Sequence, residues 1–193
     1  MTRSTPASRI RFLRRDLRGL PSARDGATVV EFAVVSVPFL ALLFSILELG
    51  LMFMASTTIE ASTVAAARLI RTGQLQAGTN NSADGFKTIV CNGMSWISAS
   101  DCMADMSLDV RTFPSFAQIN VTPPISGDHI DTSQLTFDSG GSCDIVLVRA
   151  FYPWTLLTPV LEPGLPNLGP NQRLLTATVA FRNENWKGGG ASC

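Results

Sequence analysis

The sequence predicts an α+β protein: a long N-terminal helix, half of it able to cross a membrane, then a short helix and a small antiparallel β-sheet. Three patterns carry this reading. From Phe32 to Ala55 the chain runs 24 residues with a single acid, Glu48. At about 1.5 Å per helical residue, that run crosses a hydrocarbon core of roughly 30 Å with some tilt. The helical period continues through Ile59, Thr63, Ala66 and Ile70, and Gly73 stands where a helix C-terminus needs it. After about residue 107 the period changes to two, the signature of half-buried strands.

In chain order, residues 1–26 form a basic leader. Seven arginines (3, 9, 11, 14, 15, 18 and 24) stand against Asp16 and Asp25, a local charge of +5, and the rest of the chain carries −5. Positive charge before a span and none just after it places the N-terminus in the cytoplasm and exports the remainder. The long helix is expected over 27–72, with its membrane span at about 32–55. Pro38 lies inside it, where a kink is tolerated better in lipid than in water. A carboxylate in hydrocarbon costs several kcal/mol, by order of magnitude, unless it reaches an interface or a partner. Glu48 is close enough to the outer interface to reach it, and Glu31 lies near the inner one. Gly50, Ala55, Ser56, Ala61, Ser62 and Ala65 form a small-residue surface that another helix could approach closely.

The exported domain is expected over 73–193. GQLQAGTNNSADG (73–85) reads as a turn-rich linker. A short helix is expected from Phe86 to Ile97. Strands are expected around Leu108–Thr112, Gln134–Asp138, Ile145–Tyr152 and Leu175–Phe181, making a sheet with one covered face. Pro153–Arg173 holds five prolines and reads as an ordered loop. All four cysteines, Cys91, Cys102, Cys143 and Cys193, are on the exported side, where disulfides form. Four cysteines allow three pairings. Nearest neighbours would join Cys91 to Cys102 and Cys143 to Cys193.

The sequence shows no chemistry of an enzyme. His129 is the only histidine and sits in the polar stretch GDHID, without the setting of a catalytic base. The cysteine spacings fit no compact zinc site. Asp101, Asp105 and Asp109 lack the glycine and terminal glutamate of a calcium loop and read as solvated surface. No glycine motif cradles phosphate, and no basic aromatic patch follows residue 26. Metal, cofactor, small-molecule substrate and nucleic acid are therefore not expected.

The segment Arg24-Asp-Gly26-Ala27-Thr-Val-Val-Glu31-Phe32 resembles the processing site of type IV-like prepilins, in particular the TadE-like pseudopilins of tight-adherence (Flp/Tad) pilus systems. AAARLIRTG (65–73) resembles the end of that family's long helix. VRAFYPWTLLTPVL (148–161) with LLTATVAFRNE (174–184) resembles its C-terminal strands and the turn between them. The resemblance implies that a prepilin peptidase cuts between Gly26 and Ala27, leaving Glu31 fifth and Phe32 sixth in the mature chain. It implies that Glu31 pairs with the terminal amine of a neighbouring pilin. The implied setting is the bacterial inner membrane, with the domain in the periplasm. The implied partners are the peptidase, other pilins or pseudopilins, the inner-membrane assembly platform and membrane lipid. The sizeable exported domain points to a minor pseudopilin of an adhesive, biofilm-forming pilus. Two rivals stay open: an uncleaved single-pass envelope anchor with a periplasmic binding domain, and a domain secreted after a signal cut near residues 55–61.

Overall fold

The computed structural model describes residues 24–94, 97–158, 161 and 164–186. The chain divides into two compact units, Met1–Leu43 and Phe44–Cys193. The basic leader up to residue 23 and Cys193 lie outside the described residues.

Helix α1 runs from Arg24 to Arg71, through Pro38, and so starts a little before the expected Ala27. In the first unit its large apolar side chains are exposed all round, among them Val29, Phe32, Val35, Phe39 and Leu42. A helix that is apolar on every side belongs in a protein core or in lipid, and here no core covers it. The helix is long and apolar enough to cross a membrane.

In the second unit α1 becomes amphipathic. Ser45, Glu48, Ala55, Ile59, Ser62, Thr63, Ala66 and Ile70 are buried, recurring every three or four residues. From Ala55 onward this stripe shares one core with the sheet residues Val146, Val148, Ala150, Tyr152, Leu175 and Ala177. The expected small-residue surface is therefore divided. Ala55 and Ser62 face the domain, whereas Gly50, Ala61 and Ala65 stay exposed. Ser62 meets Gly93 so closely that a Cβ there would lie 2.9 Å from its Oγ. The helix ends at Gly73, in the left-handed region at φ 76°, where an added Cβ would lie 2.5 Å from the Trp186 ring.

The expected linker is ordered. Helix α2 (Gln74–Ala77) buries Leu75, and Gln76 Nε2 donates to the Ser139 carbonyl at 3.0 Å. Helix α3 (Ala83–Asn92) starts from Ser82, whose Oγ accepts the Gly85 N–H at 3.1 Å. It stops at Asn92 rather than Ile97. A separate helix α4 (Ala99–Asp105), which the period did not show, follows behind a Ser98 cap. Seven residues are too few to display a helical period. Cys91 of α3 and Cys102 of α4 form a disulfide, as nearest-neighbour pairing expects. Cys143 is disulfide-bonded as well, and the Cys193 named as its expected partner is not among the described residues.

Strand β1 (Ser107–Phe113) is followed by a two-residue hairpin, β2 (Ile125–Ser126) with β3 (His129–Ile130). Strands β4 (Ile145–Thr155) and β5 (Gln172–Arg182) complete an antiparallel sheet of order β1-β4-β5. The alternation at 134–138 makes no strand of its own. Phe137 forms one parallel bridge to Val110, and Asp109 takes up the Thr136 N–H. The sheet is also covered on both sides at β4, not on one. Phe151 packs with Leu168 and Leu174 on the face away from α1, and Ile130 and Leu135 close over it. That explains why β4 is buried for eight residues in succession, from Ile145 to Tyr152.

Candidate functional site

Gly26 and Ala27 lie in the first turns of α1, and both are exposed. Nothing stands within 4 Å of where a Gly26 Cβ would be. A glycine inside a helix costs roughly 0.5–1 kcal/mol relative to alanine, so the fold gains nothing from having it there. Glu31 and Phe32 follow on exposed positions, Phe32 at 73% exposure. Among the described residues the ion pairs are Arg71–Glu184, Arg111–Asp109 and Arg149–Asp109, so Glu31 takes part in none. All seven residues from Gly26 to Phe32 are exposed.

Glu48 is different. It is buried, and its carboxylate accepts the backbone N–H groups of Leu157 and Thr158, the latter at 2.7 Å. The loop after β4 thus supplies two donors to the one acid of the apolar run. The charge needs such a partner, but no residue spacing pointed to one 109 positions away.

The domain holds a second buried acid. Asp109, expected on solvated surface, is fully enclosed, while Asp101 and Asp105 are exposed as read. Arg149, only 4% exposed, donates to Asp109 Oδ2 from Nε at 3.1 Å and from Nη2 at 2.7 Å. Arg111 Nε adds a contact at 2.9 Å, and the Thr136 N–H reaches Oδ1 at 2.8 Å. Burial raises the Asp109 pKa. The Thr136 N–H and the two guanidiniums outweigh it, and the net shift is downward. Arg149 is held further by the Thr122 carbonyl at 2.6 Å and lies over the Phe151 ring. Every carboxylate oxygen is taken up by donors of the fold, so the cluster is a lock between β1, β4 and the 114–139 segment. His129 stands exposed on the hairpin. Among the described residues no group of His, Cys, Asp or Glu side chains is placed to hold a metal ion.

Residues 26–68 match the family model of TadE-like proteins. Over that stretch the chain is similar to TadE-like proteins. The match begins at Gly26 and ends within α1, covering the Gly26–Phe32 segment and the stripe that packs on the sheet up to Ala67 but not Ile70. No curated protein and no solved structure matches the chain.

Proposed function

We propose that the protein is a minor pseudopilin of a tight-adherence pilus, processed by a prepilin peptidase between Gly26 and Ala27. The observation that carries this is the TadE-like match starting at Gly26, with Glu31 five residues further on. An arginine-rich leader precedes the cut, and an apolar helix follows it. Processing removes the leader and creates an ammonium group on Ala27. In an assembly of such helices the Glu31 carboxylate of one subunit meets the new amine of its neighbour. Each charge is costly in lipid and the pair is less so, which favours association and fixes register. The domain remains on the periplasmic side of the inner membrane or on the outside of the filament. There it makes the contacts that other pilins and the assembly platform recognise, and it serves adhesion rather than catalysis.

The test is the N-terminus of the mature protein, read by mass spectrometry on membrane and sheared-surface fractions. A terminus at Ala27 is expected. A terminus at Met1 would leave a plain membrane anchor without the amine that Glu31 needs. A soluble product beginning after residue 55 would make it a secreted domain.

A further inference from the structure

We propose that the loop after β4 is a second point of membrane contact, its groove against α1 filled by a lipid acyl chain. This rests on reading α1 as a membrane span. The groove, about 400 Å³, is lined by Phe44, Leu47 and Leu51 of α1, by Trp154 at the end of β4 and by Leu157 of the loop, with Glu48 beside them.

The Glu48 bonds to the Leu157 and Thr158 N–H groups fix the loop at one height along α1. The helix surface above that height is still apolar and bare. Phe53, 72% exposed, stands five residues beyond Glu48, or about 7.5 Å further along the axis. The next charged residue after Glu48 is Glu60. A bilayer that covers Phe53 therefore also covers the level of Leu157. At 78% exposure Leu157 is the barest large apolar side chain among the described residues, and it adjoins a groove of the same character.

At Leu156–Thr158 the backbone N–H groups meet the condition that lipid imposes. Irregular chain at membrane depth is tolerated only where its polar groups are satisfied. The Leu156 N–H is bonded to the Asn171 carbonyl at 2.7 Å, and the next two N–H groups go to Glu48. The same bonds offset the charge of Glu48. The groove continues the apolar surface of the helix, and hydrocarbon chains are what that surface faces.

The experiment uses the full chain in phosphatidylcholine nanodiscs, in a background with Trp96→Phe, Trp154→Phe and Trp186→Phe. Leu157→Trp is compared with Phe39→Trp, using lipids brominated near the carbonyl end or near the methyl end of the chains. Both side chains are exposed, so neither substitution disturbs packing. Leu157→Trp should emit in the blue, be quenched by the shallow bromines and be shielded from aqueous iodide. Quenching by iodide instead, with Phe39→Trp still quenched by bromine, overturns the loop contact and leaves the span intact. Loss of bromine quenching at both positions overturns the span itself. Shielding of Leu157→Trp from bromine and iodide alike means that protein, such as a second copy's helix, fills the groove, and that also overturns the proposal.

Discussion

Asp109 shows how much one side chain can hold. Two arginines and a backbone N–H converge on it, and among the described residues Arg149 pairs with no other acid. Removing one partner of a buried pair strands the other charge, typically at a cost of about 3–5 kcal/mol. Asp109→Asn should therefore lower the unfolding free energy of the full chain in detergent by that order. A change below about 1 kcal/mol would mean that the cluster is solvated. The pH dependence follows from the lowered folded-state pKa. The contribution is complete above the ordinary carboxylate value of about 3.9 and is lost as the pH falls through the depressed value. Titration from neutral to acid should show stability falling only at the acid end, and the Asn variant should lack that part of the fall. The burial of Asp109 was not legible in the sequence. Alternation correctly set it on the face opposite Val110, but period two cannot show that this face is covered too. The cover comes from residues 114–139, which have almost no regular structure to announce it.

At the scale of elements, the long helix and the three main strands were legible because each repeats its period several times. The short pieces were not. Helix α4 spans under two full turns, and Gln134–Asp138 alternates without finding a strand partner beyond one bridge. Alternation reports which side chains can share a face, whereas a strand also needs a neighbour for its N–H and C=O groups. The disulfide compensates for the short helices. Cys91 and Cys102, 11 residues apart, tie α3 to α4 beneath the sheet, and closing a loop of this size stabilises by about 2–3 kcal/mol. Cys91→Ser with Cys102→Ser should lower the thermal midpoint accordingly, and a reductant should lower that of the parent. An unchanged midpoint in the double variant would show that packing alone holds the helices. Gly73 sets the other junction. Alanine there must adopt a left-handed backbone, at about 1–2 kcal/mol, and displace Trp186 from where its Cβ would stand. Gly73→Ala should destabilise by at least that amount, with faster hydrogen exchange at the end of α1 and at Glu184, whose N–H bonds the Arg71 carbonyl. Equal exchange rates in parent and variant would remove Gly73 from the account.

At the scale of the whole molecule, Glu48 within the apolar run and Glu31 at its edge separate cleanly by what satisfies them. Glu48 is answered within the chain, by a loop far away in sequence. Glu31 stands exposed on the uncovered first part of α1 and takes part in no ion pair among the described residues. An acid so placed in lipid calls for a cation from outside the subunit, and the Ala27 amine of a neighbour is the one that processing would create. The sequence made this segment legible because its chemistry is local: a glycine, four residues and a carboxylate, independent of how the domain folds. Glu31→Ala tests it without touching the domain. The variant should still be cut after Gly26, since the bond and its flanks are unchanged. Its domain should unfold at the parent's midpoint. Its share in sheared pili should drop at least several-fold, because the subunit loses the pairing that draws it to its neighbours. Glu31→Asp, with the charge kept one methylene shorter, should recover part of the loss if an ion pair is responsible. Parental incorporation of Glu31→Ala would detach Glu31 from assembly even if the cut at Gly26 were established.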